Sequence, residues 1–227
     1  MQITIPYRFR GPLTSANGGY SAGRLAAYAD ADVVEVTLRL PPPLDRPLDI
    51  RHDGDATRLL DGDAVVAEAR PASLDVDVPP PVTLAEAEDA RTRHVRLGNP
   101  LFRECFSCGM REDGDGLAIH AGAVAGRERL FAAPWEVRET SPEIVWAAID
   151  CSGAYAVGEG VRGEPVLGRM TARIDRLPEL GDTCVVVAWP LGEDGRKLYA
   201  GTALFAGDAT LLALAHQTWV LPRATSA

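Results

Sequence analysis

Lysine is nearly missing from this 227-residue chain: Lys197 is the only one, and the remaining basic residues are scattered arginines. Lys and Arg together number 23 against 32 Asp and Glu, a formal net charge of −9. A surface that follows the phosphates of a nucleic acid needs clustered cations. That role is therefore excluded, although a pocket for a single phosphate is compatible with the composition. Long apolar runs are missing as well. No stretch approaches the roughly 20 residues that span a bilayer, so no membrane partner is expected. The opening Met1-Gln2-Ile3-Thr4-Ile5-Pro6 has no basic start before an apolar core, so no signal peptide is expected. Four cysteines in a chain this long make no disulfide scaffold, and free thiols suit a reducing compartment. A cytoplasmic protein is expected. The patterns GxxxxGK[ST] and HExxH are also absent, which removes support for phosphate-loop and zinc-protease chemistry.

What is present is a hydrophobic fraction of 46%, enough for a sizeable core. A strand is expected around residues 3–9. The small-residue stretch from Ala16 through Asn17-Gly18-Gly19-Tyr20 to Tyr28 reads as a helix packed very closely on a sheet. The β-branched run at 33–39 and the short apolar runs at 48–50, 56–60 and 64–69 read as strands. Asp53-Gly54 and Asp61-Gly62 serve as hairpin turns between them. Pro79-Pro80-Pro81 cannot continue a strand, and Thr83-Leu84-Ala85-Glu86 is a capping-box pattern opening a linker helix to about His94. Beyond it, residues 117–124 and 129–133 read as a hairpin. Ser141-Pro142-Glu143 starts a helix, with a Ser cap, Pro in the first turn and an acid at the positive end of the dipole. That helix is expected to run unbroken to about Ala156. Strands follow at 167–174, 183–189, 198–205 and 211–221.

The order strand, helix, several strands thus occurs twice. Residues 38–44 (Leu-Arg-Leu-Pro-Pro-Pro-Leu) lie over 174–180 (Ile-Asp-Arg-Leu-Pro-Glu-Leu), and 65–69 lie over 211–215. An internal repeat of this length points to two copies of one unit packed together. The expected division is residues 1–78, a linker at 79–104, and 105–227.

Asn17-Gly18-Gly19-Tyr20 opening the first helix, Cys105-Phe106-Ser107-Cys108-Gly109 leading to Gly116-Leu117, Asp150 in the second helix and Gln217 in the last strand together resemble the double-hotdog acyl-CoA thioesterases of the thioesterase II type. The resemblance spans nearly the whole chain in element order; each motif alone is unspecific. It implies an α+β double hotdog in which two antiparallel sheets each wrap a central helix, with the halves paired side by side. It also implies acyl-CoA or a related thioester as substrate, no cofactor, and a helix Asp, a strand Thr and a last-strand Gln holding the attacking water. The matching positions are Asp150 and Gln217, with Thr171 as the nearest threonine. A further homodimer is compatible with this reading.

The residues themselves favour one site. Amides at a helix start are unpaired and sit at the positive end of the dipole. Gly18 and Gly19 are therefore candidate donors to a thioester oxygen, with Asn17 and Tyr20 beside them as substrate-binding residues. The competing interpretation is that these glycines only permit tight packing. Asp150 has apolar helical neighbours, Trp146, Ala147, Gly153 and Ala154, where an ionised carboxylate is costly unless it is paired or chemically employed. An ion pair with Arg169 or Arg173 is the structural alternative. Aligning the helix starts puts Asn17 over Ser141 and Ala26 over Asp150, so one junction would combine glycine amides with a carboxylate and the opposite one would lack both.

His216 should point away from Gln217, its neighbour on a strand. The Cys105/Cys108 pair has no further ligands at readable spacing, so no metal is expected and the pair reads as a turn packed over a strand. Cys151 and Cys184 could join it only through the fold. The tryptophans and Tyr155 read as core or as acyl-channel lining. A hotdog hydratase, or an acyl-binding double hotdog without catalysis, are the rival functions. The hydratase lacks a helix His here, and the binder is separated by testing for thiol release.

Overall fold

A computed structural model describes residues 1–95, 102–111, 114–158 and 165–223. The first half supplies β1 (Gln2–Thr4), α1 (Gly18–Ala26), β2 (Val33–Leu38), β3 (Pro47–Asp53), β4 (Ala56–Asp61) and β5 (Ala64–Pro71). After α2 (Leu84–Arg91) and the short β6 (Gly122–Ala123), the second half supplies β7 (Phe131–Glu136), α3 (Pro142–Ala148), α4 (Ser152–Gly158), β8 (Val166–Ile174), β9 (Thr183–Asp194), β10 (Lys197–Phe205) and β11 (Leu211–Val220). The strands lie in the order β1-β3-β4-β5-β2-β8-β11-β10-β9-β7-β6. Read outward from β2 and β8, the two halves are mirror orders of the same unit. The paired stretches 38–44 and 174–180 fall at the equivalent ends of β2 and β8, and 65–69 and 211–215 fall in the equivalent β5 and β11.

Two separate sheets were expected; the strands instead form one continuous eleven-stranded antiparallel sheet. The join is β2 against β8, with Val34 opposite Ala172 and Val36 opposite Met170. Val36 and Met170 are fully buried in the common core. Pairing these strands removes two open edges, each a row of unpaired backbone groups.

Local chemistry explains most element boundaries. Gly54 and Gly62 take φ of +62° and +59°, the left-handed geometry that their Asp-Gly turns require. Thr83 accepts from the Glu86 amide while the Glu86 carboxylate accepts from the Thr83 amide, completing the capping box of α2. Ser141 caps α3, with Pro142 in its first turn. The expected strand at 3–9 stops at Thr4 and becomes a 3-10 turn at Tyr7–Phe9, since Pro6 has no N–H to give a ladder.

α1, α3 and α4 cover one face of the sheet. In β9, Cys184, Val186 and Ala188 face that core, while Val185, Val187 and Trp189 face a second one formed with Ala87 and Ala90 of α2. The linker helix therefore seals the outer face of the second half. α1 and α3 touch at backbone distance. A Cβ on Gly19 would stand 2.6 Å from the Asp150 Cβ and from the Trp146 carbonyl oxygen, and one on Gly23 would stand 2.7 Å from the Glu143 Cα and 2.8 Å from the Trp146 Cβ. Gly23 lies away from the polar site, so Gly23→Ala reads the packing alone. It should lower stability by about 1–3 kcal/mol in denaturant unfolding, and an unchanged midpoint would show that the helices can simply separate.

The second helix differs from expectation. It breaks between Ala148 and Ser152, and Asp150 sits in the break rather than inside a continuous helix. There the ladder tightens, with the Asp150 amide bonded to the Ala147 oxygen and the Gly153 amide to the Asp150 oxygen. The cause is a side chain inserted from a distant strand. Gln217 Nε2 donates to the carbonyl oxygens of Ile149 at 2.7 Å and Asp150 at 3.1 Å.

Candidate functional site

Asn17 has extended backbone geometry and caps α1 by accepting from the Tyr20 amide at 2.8 Å. Its Nδ2 is left pointing toward the α3–α4 break, where it donates to Asp150 Oδ2 at 2.9 Å. The Gly19 amide donates to the same oxygen at 3.0 Å. Asp150 is 2% exposed, and its Oδ1 has no hydrogen-bond partner among the described residues. Neither candidate arginine reaches it: Arg169 binds Thr37 and Glu35, and Arg173 binds Asp175. Burial pushes the Asp150 carboxyl up to about 7, against the opposing pull of the Gly19 amide and Asn17. The carboxyl is thus poised near neutrality, where a general base is most effective.

A cavity of about 380 Å³ opens on this group. Asn17, Gly18, Cys105, Asp150 and Cys151 supply its polar wall, and Leu38, Pro41, Pro42, Val166, Leu167 and Trp219 much of its apolar one. Small-molecule sites commonly have this size and this mix of apolar lining with a few convergent polar groups. Gly18, at the first position of α1, also lies in the wall, and an amide at that position has no acceptor within its own helix.

The sequence-predicted residues are only partly brought together. Asn17, Gly18, Gly19 and Asp150 meet as expected, but the Gly19 amide holds the carboxylate rather than facing an empty position. Tyr20 is corrected: its ring stacks on Phe9, with centroids 3.8 Å apart, and meets Phe106 edge-on, so it belongs to the core and not to the cavity wall. Thr171 is corrected too. It pairs with His216 and with Glu35, whereas Gln217 pairs with Met170, so Thr171 lies on the sheet face opposite Gln217. His216 lies on that opposite face, as expected. Thr171→Val should therefore leave any turnover within about twofold; a loss of tenfold in steady-state assays would return Thr171 to the site.

The threonine that does meet Gln217 is Thr202, fully buried, whose Oγ1 accepts from Gln217 Nε2 at 3.2 Å. Trp219 Nε1 donates to Gln217 Oε1 at 2.8 Å. Gln217 is thus fully engaged by protein groups. It tethers the peptide carrying Asp150, which differs from the expected role of holding water.

Cysteine is the larger omission. The Phe106 amide donates to the Arg10 oxygen at 2.7 Å, and Arg111 binds the Arg8 and Glu104 carbonyls. These bonds fasten the segment carrying Cys105 and Cys108 against the start of α1. Cys151, next to Asp150, then completes a trio of thiols whose sulphurs all lie within 4.8 Å of one another. Cys105 and Cys151 are 3.6 Å apart, and Asn17 Nδ2 lies 3.6 Å and 3.9 Å from their sulphurs. Hydrogen bonds from the Cys108 and Cys151 thiols hold the Cys105 thiol well below its usual range, against the effect of burial. Spacing along the chain gave no sign of the third cysteine, because it arrives from 43 residues beyond Cys108.

The sequence matches no family model and no curated protein. Solved structures do match. A conserved hot dog fold protein from Alicyclobacillus acidocaldarius superposes with a TM-score of 0.64 at 14% identity, covering 99% of this chain and 93% of that one. The tesB protein of Mycobacterium avium subs paratuberculosis gives 0.59 at 14% identity over 93% and 89%. An acyl-CoA thioesterase II, TesB2, from Mycobacterium marinum gives 0.58 at 10% identity over 99% and 94%. The chain has the hot dog fold, and its own strand order repeats the unit within one polypeptide. Among its described residues no helix is long and apolar enough to cross a membrane.

Proposed function

We propose that the chain hydrolyses an acyl thioester, with acyl-CoA as the substrate class, at a site between the halves 1–78 and 105–227 and with 79–104 as their linker. The observation that carries this reading is Asp150: a buried carboxyl in the wall of a largely apolar cavity, anchored through Oδ2 by Asn17 and Gly19, with Oδ1 unpartnered among the described residues. The acyl chain would lie against Leu38, Leu167 and Trp219, and the thioester oxygen would take the Gly18 amide. Asp150 would remove a proton from water as the water attacks the carbonyl carbon. Collapse of the tetrahedral adduct breaks the carbon–sulphur bond, and the thiolate leaves and takes up the proton. The products are the carboxylic acid and the free thiol. Gln217 and Thr202 act as positioning residues, since they hold the Asp150 peptide without lining the cavity.

The fold alone supports binding as well as hydrolysis. A panel of acyl-CoAs of increasing chain length, with released CoA separated and quantified, distinguishes the two. Thiol release that saturates with substrate is the expected result. Acyl-CoA binding in calorimetry with no release would make the chain a binder.

A further inference from the structure

Three thiols gather where the proposed chemistry needs none. Cys105 and Cys108 come from one turn and Cys151 from the α3–α4 break, and their sulphurs lie within 4.8 Å of one another. On a tetrahedral zinc, with Zn–S of about 2.3 Å, neighbouring ligand sulphurs stand about 3.8 Å apart. The Cys105–Cys151 separation of 3.6 Å is close to that spacing. A second observation concerns charge. The Asn17 amide nitrogen is directed at both of those sulphurs as well as at Asp150. Neutral buried thiols need no donor, whereas metal-bound thiolates are regularly supported by surrounding N–H groups. The four-cysteine count fits too, since Cys184 lies apart in β9.

We propose that Cys105, Cys108 and Cys151 form a zinc site built into the wall of the cavity. Cys105 and Cys151 line the cavity and Cys108 does not, so the ion sits behind the wall with its fourth position turned toward the cavity, for water or another small donor. Sites with three protein ligands and one open position are the arrangement in which zinc also polarises what binds to it. Zinc suits the donors because thiolates select thiophilic ions over magnesium or calcium. Loading replaces up to three thiol protons with one ion, so it should release protons and weaken at low pH.

The test does not depend on thioester hydrolysis. Full-length protein, reduced and freed of metal by chelation, is titrated with cobalt(II) and, separately, with zinc(II) followed by desalting and elemental analysis. The expected result is one tightly held ion per chain, with the thiolate-to-cobalt charge-transfer and visible bands of a tetrahedral sulphur site. In the same protein, zinc should protect Cys105, Cys108 and Cys151 from alkylation, read by mass spectrometry, and leave Cys184 unaffected. Cys108→Ser and Cys151→Ser should each weaken zinc binding by about 100-fold or more, above the range for loss of a merely supporting group, while Cys184→Ser binds as the parent does. Folded, reduced protein that retains no zinc and shows no cobalt bands overturns the proposal. So does cobalt binding that survives in both Cys108→Ser and Cys151→Ser, or isolation of Cys105 and Cys151 as a disulfide that zinc cannot prevent. The alkylation readout stands even if a serine variant fails to fold.

Discussion

Asp150→Asn should lower thioester turnover by about 10²- to 10⁴-fold, the usual contribution of a positioned general base, and yet give a protein more stable than its parent above neutral pH. The asparagine oxygen can still accept from the Gly19 amide and from Asn17, so the contact of α1 with the α3–α4 break survives. What is lost is the ability to take a proton from water. The stability gain follows from linkage. The Asp150 carboxyl is raised from an ordinary 3.8 to about 7 in the folded chain, chiefly by burial. Between those values the folded chain binds more protons than the unfolded one, so the contribution of the protonated carboxyl is present below 3.8 and lost as the pH rises through about 7. The loss is at most roughly 4 kcal/mol, at 1.4 kcal/mol per pH unit. The neutral variant escapes it. Unfolding temperatures of the two proteins, with thiols reduced and metal chelated, should therefore differ little near pH 4 and separate by pH 8. Turnover in the variant equal to that of the parent would remove Asp150 from the chemistry. A difference in unfolding temperature independent of pH would show that no buried charge is present.

That combination, a carboxylate whose burial weakens the fold and equips the site, was partly legible in the sequence. The apolar helical neighbours of Asp150 and the offset of the two helix starts both pointed to a carboxyl facing the glycine-rich start of α1, and the coordinates bring them within hydrogen-bonding distance. Turns and caps were legible for a related reason. Asp-Gly at 53–54 and 61–62, the capping box at Thr83 and Ser141-Pro142 each settle their own backbone within four residues. The repeat was legible because equivalent strands end in similar Leu-Pro stretches.

What escaped was whatever depends on register or on contacts between distant segments. A shift of one residue turns a strand side chain to the other face, and that separates Thr171 from the side of Met170, where Gln217 lies. Tyr20 follows the glycines directly but is drawn by Phe9 and Phe106 into the core. Nothing local announces that β2 will pair with β8 and merge two sheets into one. Nor does anything near Ile149 announce the break in the second helix, since the amide that captures its carbonyl stands 68 residues later.

That amide carries the second large effect. Gln217→Leu should destabilise the chain by about 3 kcal/mol or more. Gln217 is fully buried, and its removal strands the Ile149 carbonyl and the Trp219 indole N–H, each costing about 1–3 kcal/mol when left unpaired out of water. Leucine restores the bulk, so the loss measures hydrogen bonding more than cavity formation. Activity separates tethering from stability. With the Asp150 peptide released from its strand, turnover in the folded fraction should fall by about tenfold or more, because small misplacements of a reacting group are costly. Gln217→Glu provides the control. An ionised glutamate can still accept from Trp219 but cannot donate to Ile149 and Asp150, whereas the protonated acid regains one donor. Its stability relative to the parent should therefore improve as the pH falls. If Gln217→Leu unfolds at the parental denaturant concentration, the helix break has another cause, and the tether between β11 and the Asp150 peptide is dispensable.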